Sequence, residues 1–141
     1  VAHTALFDDP FKLVVPADHP LATYQSVTLS QLGKDPIILF PRDIGPGLHD
    51  ALSDALKSAG LTPSSASLAP QLHSATAMVS AGFGVALVPA SLTTQLSDHV
   101  SVVSLLQMPL SSQVVLAWQR TNTAHVVRRC ITTAREWANG Q

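Results

Sequence analysis

Ser74-Ala75-Thr76-Ala77-Met78-Val79-Ser80-Ala81-Gly82-Phe83-Gly84-Val85-Ala86-Leu87-Val88-Pro89 sets a helix, a glycine stop, an apolar strand and a proline end to end without a spare residue. Ala75, Met78 and Val79 share a helical face, and Gly82 can take the left-handed conformation that ends a helix. Residues 85–88 form the short apolar run of a strand covered on both faces. The stretch predicts a parallel α/β layer. Sheets of that kind place ligands at the carboxyl ends of their strands, so function is expected in the loops there.

Working outward, residues 11–15 read as a strand stopped by Pro16, and residues 36–40 as another, ended by Pro41 and the turn-forming Asp43-Ile44-Gly45-Pro46-Gly47. Leu48, Ala51, Leu52, Ala55, Leu56 and Ala59 recur at helical spacing, with Gly60 and Pro63 as the stop. A third strand is expected within 65–69 and a short helical turn within 89–96, giving the order βαβαβ. Beyond Asp98, residues 100–106 and 113–118 read as two more strands. Ala124, Val127, Cys130, Ile131, Ala134, Trp137 and Ala138 trace one face of a closing helix. There is no internal repeat or long linker, and the candidate boundaries lie near Pro16 and within 100–112.

Composition limits what such a layer can do. In 141 residues, 46% hydrophobic against 12% charged excludes a disordered chain and allows one moderate core. A net charge of −1 provides no general attraction to phosphate backbones or anionic membranes, so this segment is not expected to bind nucleic acid or membrane. Cys130 is the single cysteine, which rules out an internal disulfide and suits a reducing cytoplasm. No apolar run reaches the roughly 18 residues a membrane span needs, and no signal-like start is visible. Val1 in place of an initiating methionine points to a piece of a longer polypeptide.

Four phrases occur in order: Val15-Pro16-Ala17-Asp18-His19-Pro20-Leu21-Ala22; Ile37-Ile38-Leu39-Phe40-Pro41-Arg42 with Gly45-Pro46-Gly47-Leu48; Ala69-Pro70-Gln71-Leu72; and Ala81-Gly82-Phe83-Gly84-Val85-Ala86-Leu87-Val88-Pro89-Ala90-Ser91. Together they resemble the effector-binding domain of LysR-type transcriptional regulators over nearly the whole chain. The resemblance implies a periplasmic-binding-protein-like (type 2) α/β fold, a three-layer Rossmann-like lobe with a partial second lobe. Lobe two would take up about 17–100, and remnants of lobe one about 1–16 and 112–141. It also implies a small-molecule effector held between lobes, dimers or higher oligomers, a cytoplasmic location, and promoter DNA bound only through an amino-terminal winged helix-turn-helix outside this chain. The second phrase is most like the subgroup that regulates aromatic-compound catabolism.

The residues alone already suggest a cleft. Pro41, Arg42 and Asp43 would leave the carboxyl edge of the 37–40 strand, and residues 45–48 would open a helix whose free N–H groups favour an anion. Arg42 offers a two-pronged donor for a carboxylate, unless it pairs with Asp43 or faces solvent. Gln71, Leu72, His73 and Ser74 precede the second helix and could offer donors to the same cleft, although the first role of Ser74 is as the N-cap of that helix, and capping and binding can coexist. Phe40 fits either the core or the cleft wall. The candidate effector site is therefore Phe40, Pro41, Arg42, Asp43, Leu72, His73 and Ser74, and a small aromatic or unsaturated carboxylate would suit its mixed character.

No cofactor or metal is expected. His3, His19, His49, His73, His99 and His125 show no paired-ligand spacing, and Gly82-Phe83-Gly84 precedes a strand and lacks the third glycine of a dinucleotide fingerprint. With Glu136 the sole glutamate and no nucleophile elbow, an enzyme is not expected. The competing class is the solute-binding lobe of a transport receptor, which an intact reading frame would reveal by its signal peptide.

Overall fold

β-Branched and aliphatic residues concentrate in a strand far longer than its apolar centre. In the computed structural model, which describes residues 1–63, 69 and 71–141, β1 runs Ala2–Pro16. It is followed by β2 (Ser26–Val27), β3 (Ile37–Ile38), α1 (Pro46–Ser58), α2 (Leu72–Ser80), β4 (Val85–Pro89), β5 (Val100–Leu105), β6 (Ser111–Trp118) and α3 (His125–Asn139). A 3₁₀ turn at Ala90–Thr93 fulfils the expectation for 89–96. Of the strand expected at 65–69, only Ala69 lies within the described residues; its N–H donates to Leu39 O at 2.9 Å.

The chain divides into two compact units, Pro10–Ser111 and Val1–Asp9 with Ser112–Gln141. In the larger unit the strand order is β2-β5-β1-β4-β3. β2 is parallel to β5 and β3 to β4, whereas β1 is antiparallel to both β5 and β4. The layer is thus mixed, not parallel throughout as the sequence predicts. Burial on both faces marks a strand as central but carries no information on its direction. Four strands still point their carboxyl ends to one edge, with β1 running against them.

Side-chain alternation divides the core in two. Phe11, Leu13 and Val15 face one side of the sheet with Leu39, Leu87 and Val103, covered by Leu52, Ala55 and Leu56 of α1. Val14, Ile38, Ala86 and Val88 face the other, covered by Ala75 and Val79 of α2. The larger unit is therefore three layers, helix, sheet and helix. α2 stops as the glycine predicts: Gly82 has φ +84°, its N–H donates to Val79 O, and the Phe83 N–H donates to Met78 O, which satisfies two terminal carbonyls.

The His19 phrase serves the fold. His19 Nδ1 accepts from the Leu21 N–H at 3.0 Å, which fixes the proton on Nε2 for donation to Asp35 Oδ2, also at 3.0 Å. One half-buried ring so joins the turn after β1 to the loop before β3.

In the smaller unit β6 pairs with β1. Phe7 meets Trp137 edge-on at 5.8 Å between centroids, and Gln113 donates to Asp8 at 3.2 Å. α3 buries no residue fully. Val127, Ile131, Ala134 and Ala138 are half-buried, whereas Cys130 and Trp137, assigned to the same face from sequence, are exposed. They line an open groove of about 610 Å³ together with Val126 and Ala134.

Candidate functional site

The carboxyl edge of the larger unit gathers the loops that leave β3 and β4 and the starts of both helices. Residue 39 leaves β3 toward Pro41, Arg42 and Asp43, and α1 opens at Pro46 on the same edge. α2 ends four residues before β4 begins at the opposite, amino edge, so its first turn lies back at the carboxyl edge. Phe40–Asp43 and Leu72–Ser74, 29 residues apart at their nearest, reach one edge from separate parts of the chain.

Arg42 does not pair with Asp43. Its Nε donates to Asp50 Oδ1 at 2.8 Å and its Nη2 to Asp50 Oδ2 at 2.7 Å, a two-pronged pair between the β3–α1 loop and the second turn of α1. The pair is exposed, with side-chain accessibilities of 64% and 47%. His49 Nδ1 lies 3.4 Å from Asp50 Oδ1, and its ring meets Phe40 edge-on. Phe40 itself is buried in the α1-side core, so it supports the loop from behind.

The hydrogen bond from Arg42 is the chief cause that holds the Asp50 carboxyl down at about 2; partial desolvation opposes it, and His49 adds a smaller downward pull. The same hydrogen bond raises the Arg42 guanidinium. Because the folded-state pKa is depressed, the stabilisation from this pair is present above the ordinary carboxylate range and is lost as pH falls from about 4 through about 2. We expect a carboxyl-carbon NMR titration to place the Asp50 midpoint near 2, and Arg42→Ala to return it to the ordinary Asp range. An unchanged midpoint in that variant would show that the pair does not form in solution.

At the second group, the cap of α2 is Gln71 in extended conformation without a side-chain bond, not Ser74 as the sequence suggests. Ser74 lies inside the first turn, its N–H donating to Gln71 O at 3.0 Å, which leaves its side chain without the capping role. His73 is exposed and Ser74 half-buried. No hydrogen bond among the described residues joins 71–74 to 40–43: the fold brings the two groups to one edge without linking them.

Sequence reasoning missed three residues at this edge. Asp50 and His49 were hidden because their partners lie in a preceding loop whose path only the fold defines. Lys12 left a legible signal, a single cation in the apolar run of residues 11–15. It is half-buried, opposite Val88 on one side and Ser104 on the other, and its Nζ donates to Ser104 Oγ at 2.9 Å. Among the described residues no three acidic, histidine or cysteine side chains are grouped to hold a metal, and no helix is long and apolar enough to cross a membrane.

Comparison with known proteins agrees with this architecture. The LysR substrate binding domain family matches residues 1–139, and the chain belongs to that family. It is 33% identical over 133 residues to the HTH-type transcriptional regulator CatR of Pseudomonas putida, which covers 94% of this chain and 46% of CatR. It is 32% identical over 122 residues to the HTH-type transcriptional regulator BudR of Raoultella terrigena, 86% of this chain and 42% of BudR. The chain thus spans less than half the length of these curated relatives. Among solved structures, the BenM effector binding domain with its effector benzoate superposes with a TM-score of 0.76 at 23% identity, over 96% of this chain and 62% of that one. The shared fold is the periplasmic-binding-protein-like α/β type.

Proposed function

We propose that this chain is the effector-sensing domain of a LysR-type DNA-binding transcriptional regulator, and that it binds a small carboxylate, aromatic or unsaturated, at the carboxyl edge of the Pro10–Ser111 unit. What supports the reading is membership of the LysR substrate-binding family together with a topology in which the loop after β3 and the first turn of α2 lie at one edge of the sheet. Pro41, Arg42 and Asp43 line one side of the effector and Leu72, His73 and Ser74 the other, with Phe40 behind the first. Arg42 serves the carboxylate by exchanging its bond to Asp50 for one to the ligand, the same fork geometry meeting either acid. The benzoate of BenM and the regulator relatives favour this over a transport receptor.

On this reading, Pro10–Ser111 corresponds to lobe two, and the remaining segments belong to lobe one. DNA contact falls to a winged helix-turn-helix outside this sequence, the protein works in the cytoplasm without catalysing a reaction, and it self-associates. The open apolar groove along α3 supports self-association, since Trp137 and Val126 are 54% and 65% exposed there.

A thermal-shift screen of small carboxylates, each against its neutral amide, tests the proposal in a chain carrying both lobes. A carboxylate should raise Tm where its amide does not, and Arg42→Ala should weaken its binding roughly 10- to 150-fold, the range of a charge-assisted hydrogen bond. Equal affinity of variant and parent would remove Arg42 from the site, and stabilisation by uncharged solutes alone would sink the carboxylate reading.

A further inference from the structure

From the setting of Lys12 we infer that Lys12 and Ser104 form a carboxylate-holding subsite on the α2 side of the sheet; the inference deepens the effector-binding reading and rests on it. An ammonium on a central strand loses hydration, and such a group is ordinarily retained with a carboxylate partner. Lys12 has none among the described residues. Its partner is the Ser104 hydroxyl, which takes one of three N–H donors and, among the described residues, leaves two for a ligand.

Position supports the assignment. Phe11, Leu13 and Val15 face α1, so alternation turns Lys12 to the side of Val14 and α2. Lys12 pairs with Val88, one residue before β4 ends, and so stands at the carboxyl edge. The next pair on the same face is Val14 with Val102; Val14 is buried under α2, whereas Val102, although mid-strand, is 42% exposed, so cover thins toward β5. Lys12 and Ser104 with the open flank of Val102 make a shelf with a cation and a hydroxyl at one end and hydrocarbon at the other, which fits a small carboxylate with an apolar body. Arg42, held by Asp50 on the loop leading into α1, is a separate cation.

The test is an NMR titration of the 141-residue chain with sodium benzoate at constant ionic strength, with benzamide as the neutral isostere. We expect saturable shifts at the Lys12 side chain and the Val102 and Ser104 amides, with benzamide at least about tenfold weaker. Lys12→Gln should weaken benzoate about tenfold, Lys12→Arg should restore most of that loss, and Lys34→Gln, at an exposed lysine, should leave the affinity unchanged. Ser104→Ala gives a second variant that keeps the charge and should weaken binding less. If benzoate saturates but Lys12→Gln binds as the parent does, the ammonium is merely solvated and the subsite is refuted, while the effector reading stands on its other residues. If benzoate produces no saturable shift at Lys12, Val102 and Ser104, the subsite is refuted, while the effector reading keeps its own test in a chain carrying both lobes.

Discussion

Gly84→Ala is expected to cost about 3–5 kcal/mol, the sum of a backbone strain and a steric clash that cannot relax separately. Gly84 has φ +149°, which L side chains rarely adopt, and a Cβ built there lies 2.2 Å from Pro36 O. That carbonyl accepts the Val85 N–H at 2.9 Å and so joins the start of β4 to the residue before β3. Relieving the clash means moving backbone that sets the parallel register of Ile37 with Val85 and Ile38 with Ala86. A domain of this size is stable by about 5–15 kcal/mol, so the variant should lose a large part of it, or fail to fold, as judged by denaturant unfolding. A loss under about 1 kcal/mol would mean that the β3–β4 junction is looser than described.

The second large effect is at the centre of the sheet. Leu13→Ala should destabilise by about 2–5 kcal/mol, the range for removing a buried leucine from a core that collapses only in part. Leu13 is wholly buried, with Leu87 beside it on β4 and Val103 on β5. It reports whether β1 is the middle strand, since an edge strand would leave one of those flanks open. Leu106→Ala, at a residue 50% exposed, should change stability by no more than about 0.5 kcal/mol. Similar losses in the two variants would contradict the strand order.

Much of this architecture was legible because its signals are local. The Ala75–Met78–Val79 face, the Gly82 stop and the 85–88 run each depend on neighbours within a turn or a strand, and each is realised. The direction of β1 was not legible, because an apolar run reads alike both ways. Nor was its length: residues 2–6 only alternate half-buried and exposed, a weaker pattern than the buried centre. Of the candidate site, the Phe40–Asp43 loop was legible, since proline and glycine mark where the strand ends, whereas Leu72–Ser74 form the first turn of α2. The electrostatics of the site were not legible. The partner of Arg42 sits eight residues on, on α1, and only the helix path brings Asp50 to it. Lys12 was visible as an anomaly, but its hydroxyl partner is 92 positions away.

Amide hydrogen exchange with and without saturating benzoate tests effector binding at the carboxyl edge most directly, because it reads both edges of the sheet in one experiment. Slower exchange is expected at residues 42–45 and 72–75, with the amino edge at residues 33–35 and 82–85 unchanged. Protection confined to the amino edge, or none at either, would contradict effector binding at the carboxyl edge.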